Sequence, residues 1–359
     1  MTRDNDFERI KFILSKYIHS VTTNAIFGMG DSLELLRLMP AHSVSLILTD
    51  PPYHVTKKQN IYGDTHFEED NHYLEWIEKY AIEWRRVLRP NGSLFCFCDS
   101  SMAARLEVMF LKNFNVLSSI VWTKPNDPGF DGWKGKMKKE SLRQWYSHSE
   151  RIIFAEPAVE GNLHRSSFAQ FLREVRMQSE LSQHQLTEMI GAYGKVNHGG
   201  AVSNWEAGRN TPSPEQYEKI CSAILSTNKV SFMPLYQDII RIFNIDGTKE
   251  FTDVWNFKSV RPYKGKHPAE KPLDMLEHAI AATTFSGDIV LDCFAGSGNT
   301  VLAALKLGRR AIAMEIDAKW TEAINSRLSF DNEMEIKHGN SKKHLINSDT
   351  IAQTSLFMD

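Results

Sequence analysis

Seven short apolar stretches recur along the chain, several of them separated by segments with helical periodicity, and this alternation limits the possible folds more than any other feature. The stretches are "AIFG" (25–28), "VSLILTD" (44–50), "GSLFCFCD" (92–99), "LSSIVWTK" (117–124), "RIIFAEP" (151–157), "DIVLDCF" (288–294) and "RRAIAMEID" (309–317). Most are continuous apolar runs, the pattern of strands covered on both faces. The helical patterns include "SLELLRLM" (32–39), "YLEWIEKYAIEWRRVL" (73–88) and "NTVLAALKLG" (299–308). The expectation is an α/β architecture with seven mostly parallel strands and helices packed on the sheet.

The alternation stops after "RIIFAEP". From about Ser166 to Leu225 the pattern is purely helical, an irregular stretch runs to about Lys266, and the strand pattern then resumes. The expected division is one half of an α/β domain over residues 1–160, a helical insertion over 161–250, the second half over 251–330, and a tail over 331–359.

Composition narrows the class. With 359 residues, 42% hydrophobic and 24% charged, the chain has room for one large domain with an insertion. No apolar run reaches the length of a membrane span, and the polar start is unlike a secretory signal, so a cytoplasmic protein with no membrane partner is expected. The four cysteines are too scattered for a disulfide framework. Cys96 and Cys98 sit two apart on one face of a strand and read as small buried residues, and no metal site is expected. A net charge of -2 gives no global basic field. Two segments nevertheless mix cations with aromatic rings: "WKGKMKKESLRQW" (133–145) and "KSVRPYKGKHPAEK" (258–271). Lys134, Lys136, Lys138, Lys139, Arg143, Arg261 and Lys264, with Lys124 just before the first segment, suit nucleic-acid phosphates beside stacking rings. A solvated surface face is the plain alternative.

"VLDCFAGSGNTVLAALKLG" (290–308) is strand, glycine-rich turn and helix. Such a turn brings backbone close to a ligand, and the helix start offers free N–H groups to an anion. About twenty residues on, "AIAMEID" ends a second strand at Glu315, placed to hold ribose hydroxyls. A dinucleotide fingerprint would need a third glycine, but Gly296 and Gly298 lead on to Val301. S-adenosylmethionine fits better, since its carboxylate suits the helix start and its ribose the acid.

"TDPPY" (49–53), "HPAEKP" (267–272) and "DCFAGSGNT" (292–300), joined in order by "VLRPNGSLFCF", "VWTKPN" and "HSERIIFAEP", resemble the motifs of amino-group DNA methyltransferases of the permuted kind, in which the catalytic motif precedes the cofactor motif. The resemblance covers about residues 24–157 and 251–328. Ala313 and Trp320 depart from it, at positions where glycine and tyrosine are common. The resemblance implies a Rossmann-like methyltransferase sheet with S-adenosylmethionine as methyl donor. It assigns catalysis to Asp50, Pro51, Pro52 and Tyr53. It assigns the cofactor to Asp292, Phe294, Ala295, Gly296, Ser297, Gly298, Asn299, Thr300 and Glu315, with His267, Lys271 and Pro272. Asp31, after "IFGMG", is a candidate for the cofactor's adenine and equally a helix N-cap.

The chemistry explains the four-residue motif. An exocyclic amine is a poor nucleophile because its lone pair is delocalised into the ring. Asp50 and the Pro51 carbonyl are acceptors for its hydrogens, and the prolines aim that carbonyl. Tyr53 can stack on a base flipped out of the duplex. Taken alone, Asp-Pro-Pro-Tyr would read equally well as a rigid turn. In such enzymes Asp at position 50, rather than Ser, points to N6 of adenine over N4 of cytosine.

Residues 168–224 resemble a helix-turn-helix module of the phage-repressor type. Ser182 and Gln185 form a capping box, Leu186, Met189 and Ile190 an apolar face, and "NWEAGRNTPS" the turn that follows a recognition helix. Gln183, Lys195, His198, Ser203, Asn204 and Arg209 are candidates for DNA contact, and Trp205 reads as core. The module stands where target recognition is expected. In the tail, "QTSLF" (353–357), with Gln353, Leu356 and Phe357, resembles a sliding-clamp docking peptide, or packs on its own domain.

The reading is therefore an S-adenosylmethionine-dependent adenine-N6 methyltransferase acting on double-stranded DNA, in the cytoplasm and at the nucleoid. A homodimer, a restriction endonuclease and a sliding clamp are candidate partners. Cytosine-N4 methylation is the alternative within the class, and a DNA-binding regulator on a methyltransferase scaffold the alternative outside it.

Overall fold

In the computed structural model the apolar runs pair into one sheet. The structure describes residues 3–53, 67, 69–125, 138–145, 148–158, 166–193, 200–245 and 251–329. The strands are β1 (Ile18–Val21), β2 (Ala25–Met29), β3 (Val44–Thr49), β4 (Leu88–Cys98), β5 (Phe114–Trp122), β6 (Glu150–Pro157), β7 (Val254–Trp255), β8 (Ile289–Asp292) and β9 (Arg310–Glu315). Their order is β1-β2-β9-β8-β3-β4-β6-β5-β7. Pairing is parallel except at β1–β2, β4–β6 and β5–β6. The sheet thus has nine strands among the described residues, not the seven expected. The two additions lacked an apolar signal: β1 is an edge strand alternating between half-buried and exposed, and β7 is two residues long.

Helices α1 (Arg3–Ile13), α2 (Ser32–Leu38), α3 (Asp70–Val87) and α4 (Ala103–Phe110) cover one face. The polar start of the chain forms α1 because Phe7, Ile10 and Leu14 recur at helical spacing and are fully buried. In α3, Tyr73, Ile77, Tyr80, Trp84 and Val87 form the buried stripe. After the sheet's antiparallel edge come α5 (Ser167–Gln178), α6 (Gln183–Ile190), α7 (Ala201–Glu206), α8 (Pro214–Leu225) and the short α9 (Tyr236–Ile239). Helices α10 (Leu273–Thr283) and α11 (Asn299–Lys306) cover the other face. Strand side chains alternate between the two layers: Ile47, Cys96 and Cys98 point into the first, Leu46, Leu48, Phe95 and Phe97 into the second. Both cysteines are core residues, as the sequence suggested. No helix among the described residues is long and apolar enough to cross a membrane.

The inserted helices have a core of their own, built on Phe168, Leu172, Leu186, Val202, Trp205 and Ile220. Trp205 is buried as expected, but Met189, read as part of the apolar face, is 49% exposed. This unit is anchored at one end of the sheet. Ser167 Oγ donates to the Pro90 carbonyl at 2.9 Å, and Asn91 Nδ2 donates to the carbonyls of Gln237 and Ile240 at 2.9 and 3.2 Å. Arg241 Nε lies 2.7 Å from Glu156 Oε2. Pro90, Asn91 and Glu156 stand at the start of β4 and the finish of β6. That is the end of the sheet opposite Thr49, which pairs with Cys96.

Candidate active site

The strand order places the site. From β3 the chain crosses through α3 to β4 on one side, and from β8 through α11 to β9 on the other. The adjacent ends of β3 and β8 are therefore the switch point at which an open α/β sheet leaves a crevice. Thr49 binds the two ends together: its Oγ1 donates to Asp292 Oδ1 at 3.0 Å and accepts from the Cys293 N–H at 3.2 Å. Beyond them opens a cavity of about 350 Å³, with Asp50 and Tyr53 toward one part and Gly296 and Glu315 toward another. This volume is that of a small-molecule pocket.

At the catalytic end Asp50 is the first residue past β3, and Pro51, Pro52 and Tyr53 line the cavity with it. Lys271 Nζ donates to Asp50 Oδ2 at 2.5 Å and lies 3.3 Å from the Tyr53 hydroxyl and 3.4 Å from Glu150 Oε2. The Tyr53 hydroxyl donates to Glu150 Oε2 at 2.8 Å, and Lys124 bonds Glu150 Oε1. Two cations and two anions are thus interlocked around one phenol. Burial raises the Asp50 carboxyl above its usual range, the Lys271 charge opposes that rise, and Glu150 adds to it. Burial alone would raise Glu150 too, but Lys271 and Lys124 beside it hold it at about 2. Burial works against the Lys271 charge, and the two carboxylates overcome it and hold the ammonium protonated. Burial, with the neighbouring Asp50 and Glu150 charges, keeps Tyr53 a neutral phenol.

The other part of the cavity matches a nucleoside joined to an amino acid. Gly296 has φ of 49° and Gly298 of 79°, a region that glycine enters without strain. A Cβ on Gly296 would stand 3.1 Å from the His267 ring, so backbone and imidazole are packed against each other. Phe294, Ala295, Ser297 and Thr300 line the cavity with Gly296 and lead into α11. Asp292 lies behind them, its carboxyl pushed by burial to about 6 despite hydrogen bonds from Thr300, Phe294 and Thr49. Glu315 Oε2 accepts the Gly296 N–H at 2.8 Å, and its Oε1 accepts the N–H groups of Ile316 and Asp317 at 2.9 Å. Oε1 is filled by its two donors, and Oε2 keeps a lone pair for a further donor such as a ribose hydroxyl.

Trp76, Tyr80 and Phe294 form an aromatic wall, with Tyr80 and Phe294 centroids 5.1 Å apart. Asp31 caps α2, accepting the Leu33 N–H at 2.8 Å, and it also lines the cavity. These groups have the chemistry that S-adenosylmethionine would need: rings for an adenine, a carboxylate at Glu315 for ribose hydroxyls, and a glycine loop leading into a helix start for a carboxylate.

Some candidates act through the framework. Asn299 donates to Glu270 Oε1 and the Lys271 carbonyl at 3.1 and 3.0 Å, and accepts from Arg327 Nε at 3.2 Å. It fastens the "HPAEKP" segment to the glycine loop. Pro272 is the N-cap residue of α10. Gly298 turns the chain where a Cβ would stand a tight 3.2 Å from Ile324 Cα. Lys271, expected among the cofactor residues, reaches the catalytic motif.

The DNA candidates divide. Lys124, at a left-handed φ of 49°, is engaged by Glu150 rather than presented to solvent. Lys138, Arg143, Arg261 and Lys264 are exposed on segments that leave or rejoin the sheet at its cavity end. Lys139 lies in a 3-10 turn, Lys139–Ser141. Gln183 is exposed, and its Nε2 donates to Glu206 Oε2 at 2.6 Å, beside the 2.5 Å Arg176–Glu206 ion pair. The Ser203 hydroxyl donates to the Gly200 carbonyl, and Asn204 accepts from Arg209 at 3.0 Å. Lys134, Lys136, Lys195, His198 and the tail residues Gln353, Leu356 and Phe357 lie outside the described residues.

Sequence reading missed Glu150, Trp76 and Tyr80. Glu150 begins a buried strand with an acid, and Trp76, Tyr80 and Trp84 recur every fourth residue. Both signals were present but resemble an ordinary strand boundary and core stripe.

Comparison with known proteins agrees with this geometry. The chain is 24% identical over 294 residues to DNA adenine methyltransferase YhdJ of Escherichia coli (strain K12), covering 81% of this chain and 78% of that protein. It is 24% identical over 344 residues to Type II methyltransferase M.PvuII of Proteus hauseri, covering 93% of each. A solved PvuII DNA methyltransferase, described as cytosine-N4-specific, aligns with a TM-score of 0.50 at 18% identity over 86% of this chain and 87% of that one, which shows a shared fold. A sequence model of the DNA methylase family matches residues 44–326, from the strand that carries Asp50 to beyond the one that carries Glu315, and the chain belongs to that family, the amino-group DNA methyltransferases that use S-adenosylmethionine.

Proposed function

We propose that this DNA methylase modifies N6 of adenine in double-stranded DNA, on a base turned out of the helix into the cavity. The observation that carries the reading is the Asp50 carboxylate at the mouth of β3. Its Oδ1 is buried without a hydrogen-bond partner among the described residues, while Oδ2 is held by Lys271. An amine N–H is the donor such an oxygen lacks, and the Pro51 carbonyl is a candidate acceptor for the second hydrogen.

S-adenosylmethionine supplies an electrophilic methyl group on a sulfonium. The chain's residues do the rest: they hold the amine, draw its lone pair out of the ring plane, and stabilise the positive charge that develops on nitrogen. Tyr53, a neutral phenol fixed by Glu150, offers its ring face to the flipped base. Adenine is preferred because position 50 is Asp.

The inserted helices fit a helix-turn-helix unit, supported by the capping boxes that open α6 and α8 and by the buried Trp205. Its anchorage far from the cavity favours contact with a stretch of duplex away from the flipped base. Readout near the base then falls to the cavity-end segments that carry Lys138, Arg143, Arg261 and Lys264.

The test is direct. Purified protein is incubated with duplex DNA and labelled S-adenosylmethionine, and the DNA is digested to nucleosides. Label in N6-methyladenine is expected, whereas label confined to N4-methylcytosine overturns the adenine assignment.

A further inference from the structure

We propose that Lys271 is the positioning residue of methyl transfer: it binds one oxygen of Asp50 so that the other is presented to the exocyclic amine, and Glu150 holds Lys271 in place. The inference concerns an amine acceptor in a DNA methylase and is the same for adenine and cytosine.

Asp50 has two equivalent oxygens and a rotatable side chain, so an unrestrained carboxylate would spread its acceptor over several directions. In this site the choice is made. Oδ2 is 2.5 Å from Lys271 Nζ, and Oδ1 is left buried and without a partner among the described residues. A carboxylate oxygen out of water and without a donor is costly, and that cost is relieved when an N–H arrives. Lys271 is equally constrained. Its side chain is 8% exposed, and it has the Tyr53 hydroxyl at 3.3 Å, the Ala269 carbonyl at 3.4 Å and Glu150 Oε2 at 3.4 Å besides Asp50. An ammonium so far out of water requires counter-charge, and Asp50 and Glu150 together supply it.

Glu150 does three things at once. It balances Lys271, accepts the Tyr53 hydroxyl at 2.8 Å and pairs with Lys124. Asn299 adds a brace by binding the Lys271 carbonyl at 3.0 Å. The groups around the Asp50 carboxylate come from several elements: Lys271 ahead of α10, Tyr53 on its own loop, Glu150 on β6, Asp292 on β8, Cys96 and Cys98 on β4, and Tyr73 on α3. Lys271 is the cation that opposes the burial of Asp50, and Glu150 the anion that adds to it. Removing each should therefore move Asp50 in opposite directions.

The experiment compares the full-length protein with Lys271→Met, Lys271→Arg and Glu150→Gln. Steady-state methylation is scored as total methyl incorporated, whichever base receives it, so a wrong base assignment leaves the result readable. S-adenosylmethionine affinity is measured by calorimetry, which also reports whether each variant is folded. For Lys271→Met, kcat should fall about 100-fold while the cofactor Kd stays within about twofold, the mark of a misplaced acceptor. The acidic limb of its kcat–pH profile should move to higher pH, and in Glu150→Gln to lower pH. Lys271→Arg, which restores the charge, should return the limb toward wild type and recover most of kcat. An acidic limb unmoved in Lys271→Met overturns the proposal. So does an equal loss of kcat and cofactor affinity in both Lys271 variants, which would make Lys271 a part of the pocket wall only.

Discussion

A half-buried imidazole and a largely buried carboxylate show how single residues of this protein are tuned by what surrounds them. Burial, followed by the neighbouring Lys271 and Lys319 charges, holds His267 at about 4, so its ring is neutral against Gly296 and Trp320. A folded-state value below the unfolded one, about 6.5, means that the folded form takes up its proton later on acidification. The stability this contributes is whole above pH 6.5 and is lost as pH falls through the folded value, near 4. Thermal melts of wild type and His267→Gln between pH 7 and 4.5 should converge toward the acid side; parallel curves would mean that His267 titrates as it does when unfolded. Asp50→Ala removes the amine acceptor and should abolish methyl transfer while cofactor binding persists. Activity near wild type would take Asp50 out of the chemistry. Asp50 was legible in the sequence because two prolines and a tyrosine surround it. Lys271 was legible only as a member of "HPAEKP", since its 221-residue separation from Asp50 hides the contact.

At the scale of elements, local chemistry foretold the inserted helices well. Ser182 with Gln185, and Ser213 with Gln216, close complete capping boxes at the starts of α6 and α8. Replacing either serine by alanine should cost about 1 kcal/mol of stability in this unit, read as faster amide exchange in α5–α8 with the sheet unaffected. Uniform loss across the molecule would show that the insertion does not open independently. Met189 is where the periodicity misled: a residue on the right side of a helical wheel stays exposed when no neighbouring element among the described residues covers that part of the face. Trp76 and Tyr80 are the reverse case. Their spacing promised core, and Tyr80 is indeed buried, but both rings stand in the middle of α3 where it borders the crevice, so they are cavity wall as well.

At the scale of the whole molecule the polarity of the sheet governs function. The glycine loop follows the catalytic strand by more than two hundred residues in the chain, yet β8 and β3 are neighbours, and their parallel run brings both ends to one crevice. Strand β6 runs the other way, so it delivers Glu150 to the crevice at its start and the helical unit to the far end at its finish. DNA binding should divide accordingly. Replacing Lys138, Arg143 and Lys264 together by alanine should weaken duplex binding in a salt-dependent way and raise the KM for DNA, each lost phosphate contact lowering the salt slope by about 1. Arg209→Ala should leave the modified base and its immediate sequence context unchanged. A change of target base context in Arg209→Ala would place the helical unit at the flipped base.

The sequence by itself determined the α/β class, the strand that leads into Asp50, the glycine-rich turn with Glu315 on the strand after it, and the capped helices of the insertion. Each is written in neighbouring residues, through apolar period, proline, glycine and caps. Only the tertiary structure decided that Lys271 and Glu150 meet Asp50 and Tyr53, that aromatic residues of α3 wall the cavity, and which end of the sheet carries the helical unit. Those outcomes depend on strand order and strand direction, which bring distant residues together and which a local pattern does not encode.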